Sequence, residues 1–262
     1  MAKVISIANQ KGGVGKTTTS VNLSACLAQK GKRVLLIDID PQGNATSGLG
    51  VEAHDKKSVY NVIVDEEKMQ DTIQPTVVKK LDVCPANIDL AGAEVELVSM
   101  VSRETRLKDA IDEIKENYDY ILIDCPPSLG ILTTNALTAS DSVLIPVQCE
   151  FYALEGIMQL LNTIRLARKN LNPTLDVEGV VLTMLDSRTI LGLDVVENIR
   201  SYFKEKVYDT IIPRLIVLAE APSHGKPIAN YNSKSKGTQA YINLAKEVIE
   251  RNAGEEQKTS TR

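Results

Sequence analysis

One stretch constrains this chain more than any other: Asn9-Gln10-Lys11-Gly12-Gly13-Val14-Gly15-Lys16-Thr17-Thr18. It follows an apolar run at residues 4–8. It leads into residues 16–29, where Val21, Leu23, Leu27 and Ala28 recur at helical spacing before Gly31. Strand, glycine-rich loop and helix, in that order, are the parts of a phosphate-binding loop. The strict form GxxxxGK[ST] is not met, because Gln10 stands where its first glycine belongs; the chain carries KGGxGK[ST] instead.

The physical logic survives the change. Gly12, Gly13 and Gly15 permit backbone shapes closed to side chains with a Cβ, so that N–H groups turn inward on a polyphosphate. A helix starting near Lys16 aims its positive end at the same anion. The candidate nucleotide cradle is therefore Lys11, Gly12, Gly13, Val14, Gly15, Lys16, Thr17 and Thr18. Lys16 can reach the β- and γ-phosphates and the Thr17 hydroxyl can ligate Mg²⁺. Lys11, at the start of the loop, points away from its own phosphates in the usual geometry. It is either a solvated charge or a group that reaches the nucleotide of a second subunit.

Further apolar runs, rich in Val and Ile, lie at 34–37, 81–84, 120–123, 142–147, 177–184 and 207–212. Several are nearly continuous rather than alternating, as parallel strands covered on both faces are. Helical patterns at 103–117, 153–169, 192–203 and 238–251 lie between or after them. The pattern predicts an α/β fold: a doubly wound, mostly parallel β-sheet flanked by helices, in a single domain over residues 1–251 that carries the phosphate-binding loop. Residues 51–71 are polar and mixed and predict short surface helices. Residues 252–262 are polar with no apolar face and are expected to form a disordered tail.

Two predicted strands end in carboxylates, LLIDIDPQGN at 35–44 and YILIDCPP at 120–127. Ligands of open parallel sheets bind beyond the carboxyl ends of the strands, where the loop also lies. Asp124 fits a metal-holding role and Asp40, one residue further past its strand, fits the positioning of an attacking water. Thr17, Asp40 and Asp124 make the candidate Mg²⁺ shell; Lys16 and Asp40 are candidate catalytic groups, joined by Lys11 if it is the group that reaches a second subunit. Asp38 is either close to the metal or structural.

The net charge of −4 gives no bulk reason for nucleic-acid binding, which would need a local basic face. Arg188, Arg200, Lys204, Lys206, Arg214, Lys226, Lys234 and Lys236 gather in the last third of the chain. Cys26, Cys84, Cys125 and Cys149 show no CxxC spacing and read as small buried hydrophobes. His54 and His224 are isolated and suggest no catalytic triad. The N-terminal apolar run is too short for a secretory leader, and no run approaches the ~20 residues of a membrane span, so a cytoplasmic protein is expected.

The motifs KGGVGKTT, LLIDIDPQGNATSGLG and ILIDCPPSLG, with QCEFYALEG and EAPSHGKPI, resemble the ParA/Soj family. These are deviant-Walker ATPases of bacterial chromosome and plasmid partition, within the MinD/ParA class. The resemblance implies an ATP-dependent homodimer with two ATP molecules between its subunits. Lys11 would reach across and Asp40 would serve hydrolysis. It also implies nonspecific binding to double-stranded DNA on the nucleoid, slow hydrolysis stimulated by a ParB-type partner, and DNA contacts at Arg188, Lys226 and Lys234. Pro213 would lie against the base. Where the Soj branch has Asn, Val and Arg after Pro-Arg, this chain has Leu215, Ile216 and Val217. The resemblance therefore implies a less polar base site and one fewer cation facing DNA.

Two other readings compete. A MinD-like membrane ATPase needs a basic, bulky-apolar C-terminal helix, and the acidic stretch after Arg251 argues against one. A metabolic enzyme of the same fold would need a cluster-binding cysteine pattern or a substrate pocket, neither of which the sequence supplies.

Overall fold

The computed structural model describes residues 1–53, 56–150, 153–186 and 188–260. Its strands are β1 (Lys3–Ile7), β2 (Val34–Asp38), β3 (Gln74–Pro75), β4 (Leu81–Cys84), β5 (Tyr120–Asp124), β6 (Ser142–Gln148), β7 (Asp176–Leu185) and β8 (Val207–Pro213). The helices are α1 (Lys16–Gln29), α2 (Asn44–Gly48), α3 (Val59–Ile63), α4 (Leu90–Glu96), α5 (Arg106–Asp112), α6 (Ile131–Ala139), α7 (Ala153–Asn170), α8 (Ile190–Phe203), α9 (Ile216–Glu220), α10 (Ile228–Tyr231) and α11 (Lys236–Ser260).

The strands form one sheet in the order β3-β4-β2-β5-β1-β6-β7-β8. Every pairing is parallel except β3 with β4, at the edge. This is the doubly wound α/β sheet the sequence predicts. The near-continuous apolar runs have a simple cause: alternate residues serve two cores. Val4, Leu35, Ile37, Ile121 and Ile123 face one, with α5 to α8; Ile5, Ile7, Leu36 and Leu122 face the other, with α1 and α11.

Register positions the chemistry. β1 lies between β5 and β6, and Ile7 pairs with Asp124. Asp38 on β2 pairs with the same Asp124. The loop leaving β1 and two buried carboxylates thus share one end of the sheet, at the point where strand order reverses.

Three expectations change. Residues 51–71 are not merely a surface segment: α3, capped reciprocally by Ser58 and Asn61, buries Val59, Val62 and Ile63, and Met69 is buried too. The helix expected at 103–117 is shorter, because Asn135 takes the Arg103 carbonyl and the Leu107 N–H, and a separate 3₁₀ turn closes at Lys115–Asn117. Residues 252–260 continue α11 rather than forming a disordered tail. Asn252 is buried there, donating to Glu178 and to the Val248 carbonyl, so the helix is anchored where its apolar face ends. Thr261 and Arg262 lie outside the described residues, as do His54 and the Phe151-Tyr152 pair of the QCEFYALEG motif. Among the described residues no helix is long and apolar enough to cross a membrane.

Candidate functional site

The loop is clamped from two neighbouring strands. Asn9 Nδ2 donates to the Pro146 carbonyl on β6 (2.7 Å), and its Oδ1 accepts the Lys11 N–H (3.0 Å). From β7, Thr183 Oγ1 donates to the Val14 carbonyl (2.8 Å). Gly13 and Gly15 take left-handed φ of 74° and 88°, which any other residue would adopt only with strain. Gly15 is the N-cap of α1 and brings no side chain to it, so the first-turn N–H groups face the loop, as an anion cradle requires.

The two lysines differ sharply. Lys16 is 7% exposed, and its Nζ donates to the Lys11 carbonyl at 3.2 Å, inside the loop. Burial lowers its pKa; the charges of Asp124 and Asp40 work the other way. The Lys11 side chain is 36% exposed, and its Nζ lies 3.6 Å from Glu150 Oε2.

The carboxylates meet the helix directly. Asp124 accepts from Thr17 Oγ1 (2.8 Å) through one oxygen and from Ser20 Oγ (2.7 Å) through the other. Ser20, one turn after Lys16 on the same helix face, escaped the sequence reading although its spacing signals it. Asp38 is fully buried and is held by Thr46, whose N–H and hydroxyl both donate to Oδ2 at 2.8 Å. It also takes the Asp40 N–H at 3.2 Å. Of the two roles open to Asp38, these bonds support the structural one: it fixes the turn that carries Asp40. Asp40 is 8% exposed, and its Oδ1 accepts the Gln42 N–H at 3.0 Å.

Burial pushes the carboxyl pKa values of both Asp38 and Asp124 upward, and the charge of a neighbouring carboxylate adds to each shift. Their folded values lie above the unfolded one, so the stability these two groups contribute is fully present below about pH 4 and is lost as pH rises through the folded values. Without nucleotide, the urea midpoint should fall less between about pH 5 and pH 8 in Asp124→Asn than in the wild type. The ceiling is roughly 1.4 kcal/mol per pH unit for one group. Parallel pH profiles would contradict the assignment of burial as the cause.

Beside the loop lies a cavity of about 340 Å³ lined by Gly15, Thr18, Met184, Pro213, Leu215 and Tyr241, among others. It unites Thr18 and Pro213, which the sequence reading assigns to the nucleotide, and Leu215 forms part of its wall. Val217 is half-buried against the α1–α11 core, while Ile216 is 79% exposed.

The three residues expected to face DNA lie on separate segments of the chain. Arg188 follows β7, is 87% exposed and forks onto Asp186 through Nε (2.8 Å) and Nη2 (2.7 Å). That pairing draws the Asp186 pKa down to about 2. Lys226 precedes α10, Lys234 precedes α11, and neither is buried.

Hydroxyl and carboxylate oxygens at Thr17, Asp124 and Asp40 suit a hard cation such as Mg²⁺. Among the described residues there is no group of three or more His, Cys, Asp or Glu able to enclose a metal. Mg²⁺ commonly uses such sparse protein donation together with phosphate oxygens and water. The open glycine backbone, the buried Lys16 and the helix start fit a polyphosphate in the same place.

Comparison with known proteins agrees with this geometry. The AAA domain family model matches residues 2–177. The chain is 65% identical over 249 residues to the sporulation initiation inhibitor protein Soj of Bacillus subtilis, covering 95% of this chain and 98% of that protein. It is 52% identical over 252 residues to the chromosome partitioning protein ParA of Myxococcus xanthus, covering 96% and 89% respectively. Among solved structures, the septum site-determining protein MinD of Pyrococcus horikoshii, complexed with Mg-ADP, superposes with a TM-score of 0.80 at 28% identity, covering 95% and 96%. A cobyrinic acid a,c-diamide synthase from Mycobacterium smegmatis, with bound ADP and magnesium, gives 0.84 at 38%, covering 95% and 94%.

Proposed function

Since this chain belongs to the ParA/Soj family of P-loop ATPases, we propose that it is a DNA-partition ATPase that dimerises on ATP, binds duplex DNA without sequence preference and hydrolyses ATP slowly. The observation that carries this reading is the division between its two loop lysines. Lys16 is buried in its own cradle; the Lys11 ammonium stands at the rim, where a second subunit can meet it. Identity of 65% to a Soj protein, against 38% to the synthase, favours partition over a metabolic role.

The cradle from Lys11 to Thr18 holds the phosphates, and the cavity at Pro213 takes the base. Thr17, Asp124 and Asp40 are the residues that would hold Mg²⁺. The ion neutralises charge on the phosphate oxygens when bound. Asp40 orients the attacking water and accepts its proton. In the dimer, Lys11 of each subunit adds a positive charge at the partner's nucleotide. A ParB-type partner accelerates hydrolysis, and the DNA-bound dimer resides on the nucleoid in the cytoplasm.

DNA binding rests on local charge, since the whole chain is acidic. Dimerisation presents Arg188, Lys226 and Lys234 twice. Arg188 must exchange Asp186 for a phosphate, so binding is salt-sensitive. Co-sedimentation with duplex DNA should require ATP and fail with ADP or no nucleotide. Arg188→Ala should weaken binding about equally on all sequences and lower the salt slope by about 0.9 for each phosphate it leaves unneutralised. Val217→Arg should strengthen binding, since the long side chain can run its stem along the core and keep its charge in water. Tight nucleotide-free binding, or strong preference for one sequence, would contradict the proposal.

A further inference from the structure

Two cations with different tasks share one carboxylate. Glu150, two residues beyond β6, places Oε2 at 3.6 Å from Lys11 Nζ and Oε1 at 3.8 Å from Arg214 Nη2. Gln148 Nε2 also donates to Oε1. Arg214 is part of the wall of the cavity beside the loop, next to Pro213. Arg214 also acts electrostatically on Asp186, the carboxylate that holds Arg188. Charges of alternating sign thus run from Arg188 through Asp186, Arg214 and Glu150 to Lys11.

We propose that Glu150 is a positioning residue for Lys11: it holds the ammonium within its own subunit in the nucleotide-free monomer, and Arg214 competes with Lys11 for it. The inference rests on the reading in which Lys11 serves the partner's nucleotide. An ammonium held at Glu150 must leave it to reach a phosphate in another subunit, so the pair opposes dimerisation. The opposition is small, because Lys11 and Glu150 are 36% and 48% exposed and water screens them. It is therefore a hold that a triphosphate overcomes. A base seated in the cavity lies against Arg214. Arg214 then turns further onto Glu150 and loosens its grip on Lys11, so filling the base cavity and freeing the lysine act in the same direction.

The test uses the full chain with a non-hydrolysable ATP analogue, monomer and dimer being resolved by light scattering. Glu150→Gln should tighten the dimer about two- to thirtyfold, the range expected when each of the two subunits no longer gives up an exposed ion pair. The affinity of the monomer for a fluorescent ATP analogue should stay the same. Glu150→Asp should return the dimer constant toward the wild type, and added salt should shrink the gap between wild type and Glu150→Gln. Arg214→Gln should weaken the dimer when Glu150 is present and have no such effect in the Glu150→Gln background. A Glu150→Gln dimer that is unchanged or weaker overturns the proposal. A Lys11→Ala chain that still dimerises with ATP overturns the reading beneath it instead.

Discussion

Replacing Asp40 by Ala should lower steady-state ATP hydrolysis by at least a hundredfold while leaving ATP binding within about twofold, the loss expected when a positioned base is removed. Asp40 follows β2 by two residues, in a turn fixed by Asp38 and Thr46. Asp38 is fully buried and Thr46 nearly so, and the bonds between them do not involve the Asp40 side chain, so the truncation leaves the turn standing. The side-chain bond given up is the one that accepts the Gln42 N–H. The phosphate cradle lies on a separate loop, clamped by Asn9 and Thr183. An ATP-bound dimer should then accumulate on DNA, because the step that dissolves it is blocked. Phosphate release and light scattering, measured on the same sample, decide the matter. Hydrolysis at the wild-type rate would remove Asp40 from the site, and loss of ATP binding would make it part of the cradle.

The strands were legible because this fold writes them plainly. A strand covered on both faces needs apolar residues at every position, and 34–37 or 120–123 can hardly be read otherwise. Helix α6 was not legible, for the same reason turned around. It is buried on most sides, so no polar face marks a helical period, and its Thr and Asn side chains suggest a loop. In the fold Thr134 and Thr138 donate to carbonyls one turn earlier, and Asn135 ties α6 to the start of α5. The loop and the two acidic strand ends were visible as motifs, and the rule that ligands bind beyond the carboxyl ends of parallel strands placed them at one crevice. The register there was not visible, since only the pairing of both Asp38 and Ile7 with Asp124 joins segments more than eighty residues apart. Glu150 carried no signal of its own: nothing in the residues around it says that Lys11 and Arg214 converge there.

The two loop lysines should part company when each is removed. Lys16→Ala should abolish measurable ATP binding by the monomer, a loss of a hundredfold or more, because a buried charge facing a polyphosphate is poorly replaced by water. Its ammonium also donates to the Lys11 carbonyl, so the truncation frees the loop as well as discharging it. Lys11→Ala should bind ATP within about twofold of the wild type, since its side chain is directed to Glu150 at the rim and not into the cradle of its own subunit. That same variant should fail to dimerise with ATP, because a dimer that buries two triphosphates face to face then lacks the positive charge each subunit brings to the other's site. Titration with a fluorescent ATP analogue measures the first effect, and light scattering with ATP, ADP and no nucleotide measures the second. Equal loss of binding in both variants would put both lysines in one cradle. A dimer indifferent to nucleotide would sever dimerisation from the loop altogether. The separation of the two effects is what a lysine buried in the cradle and a lysine standing at its edge require.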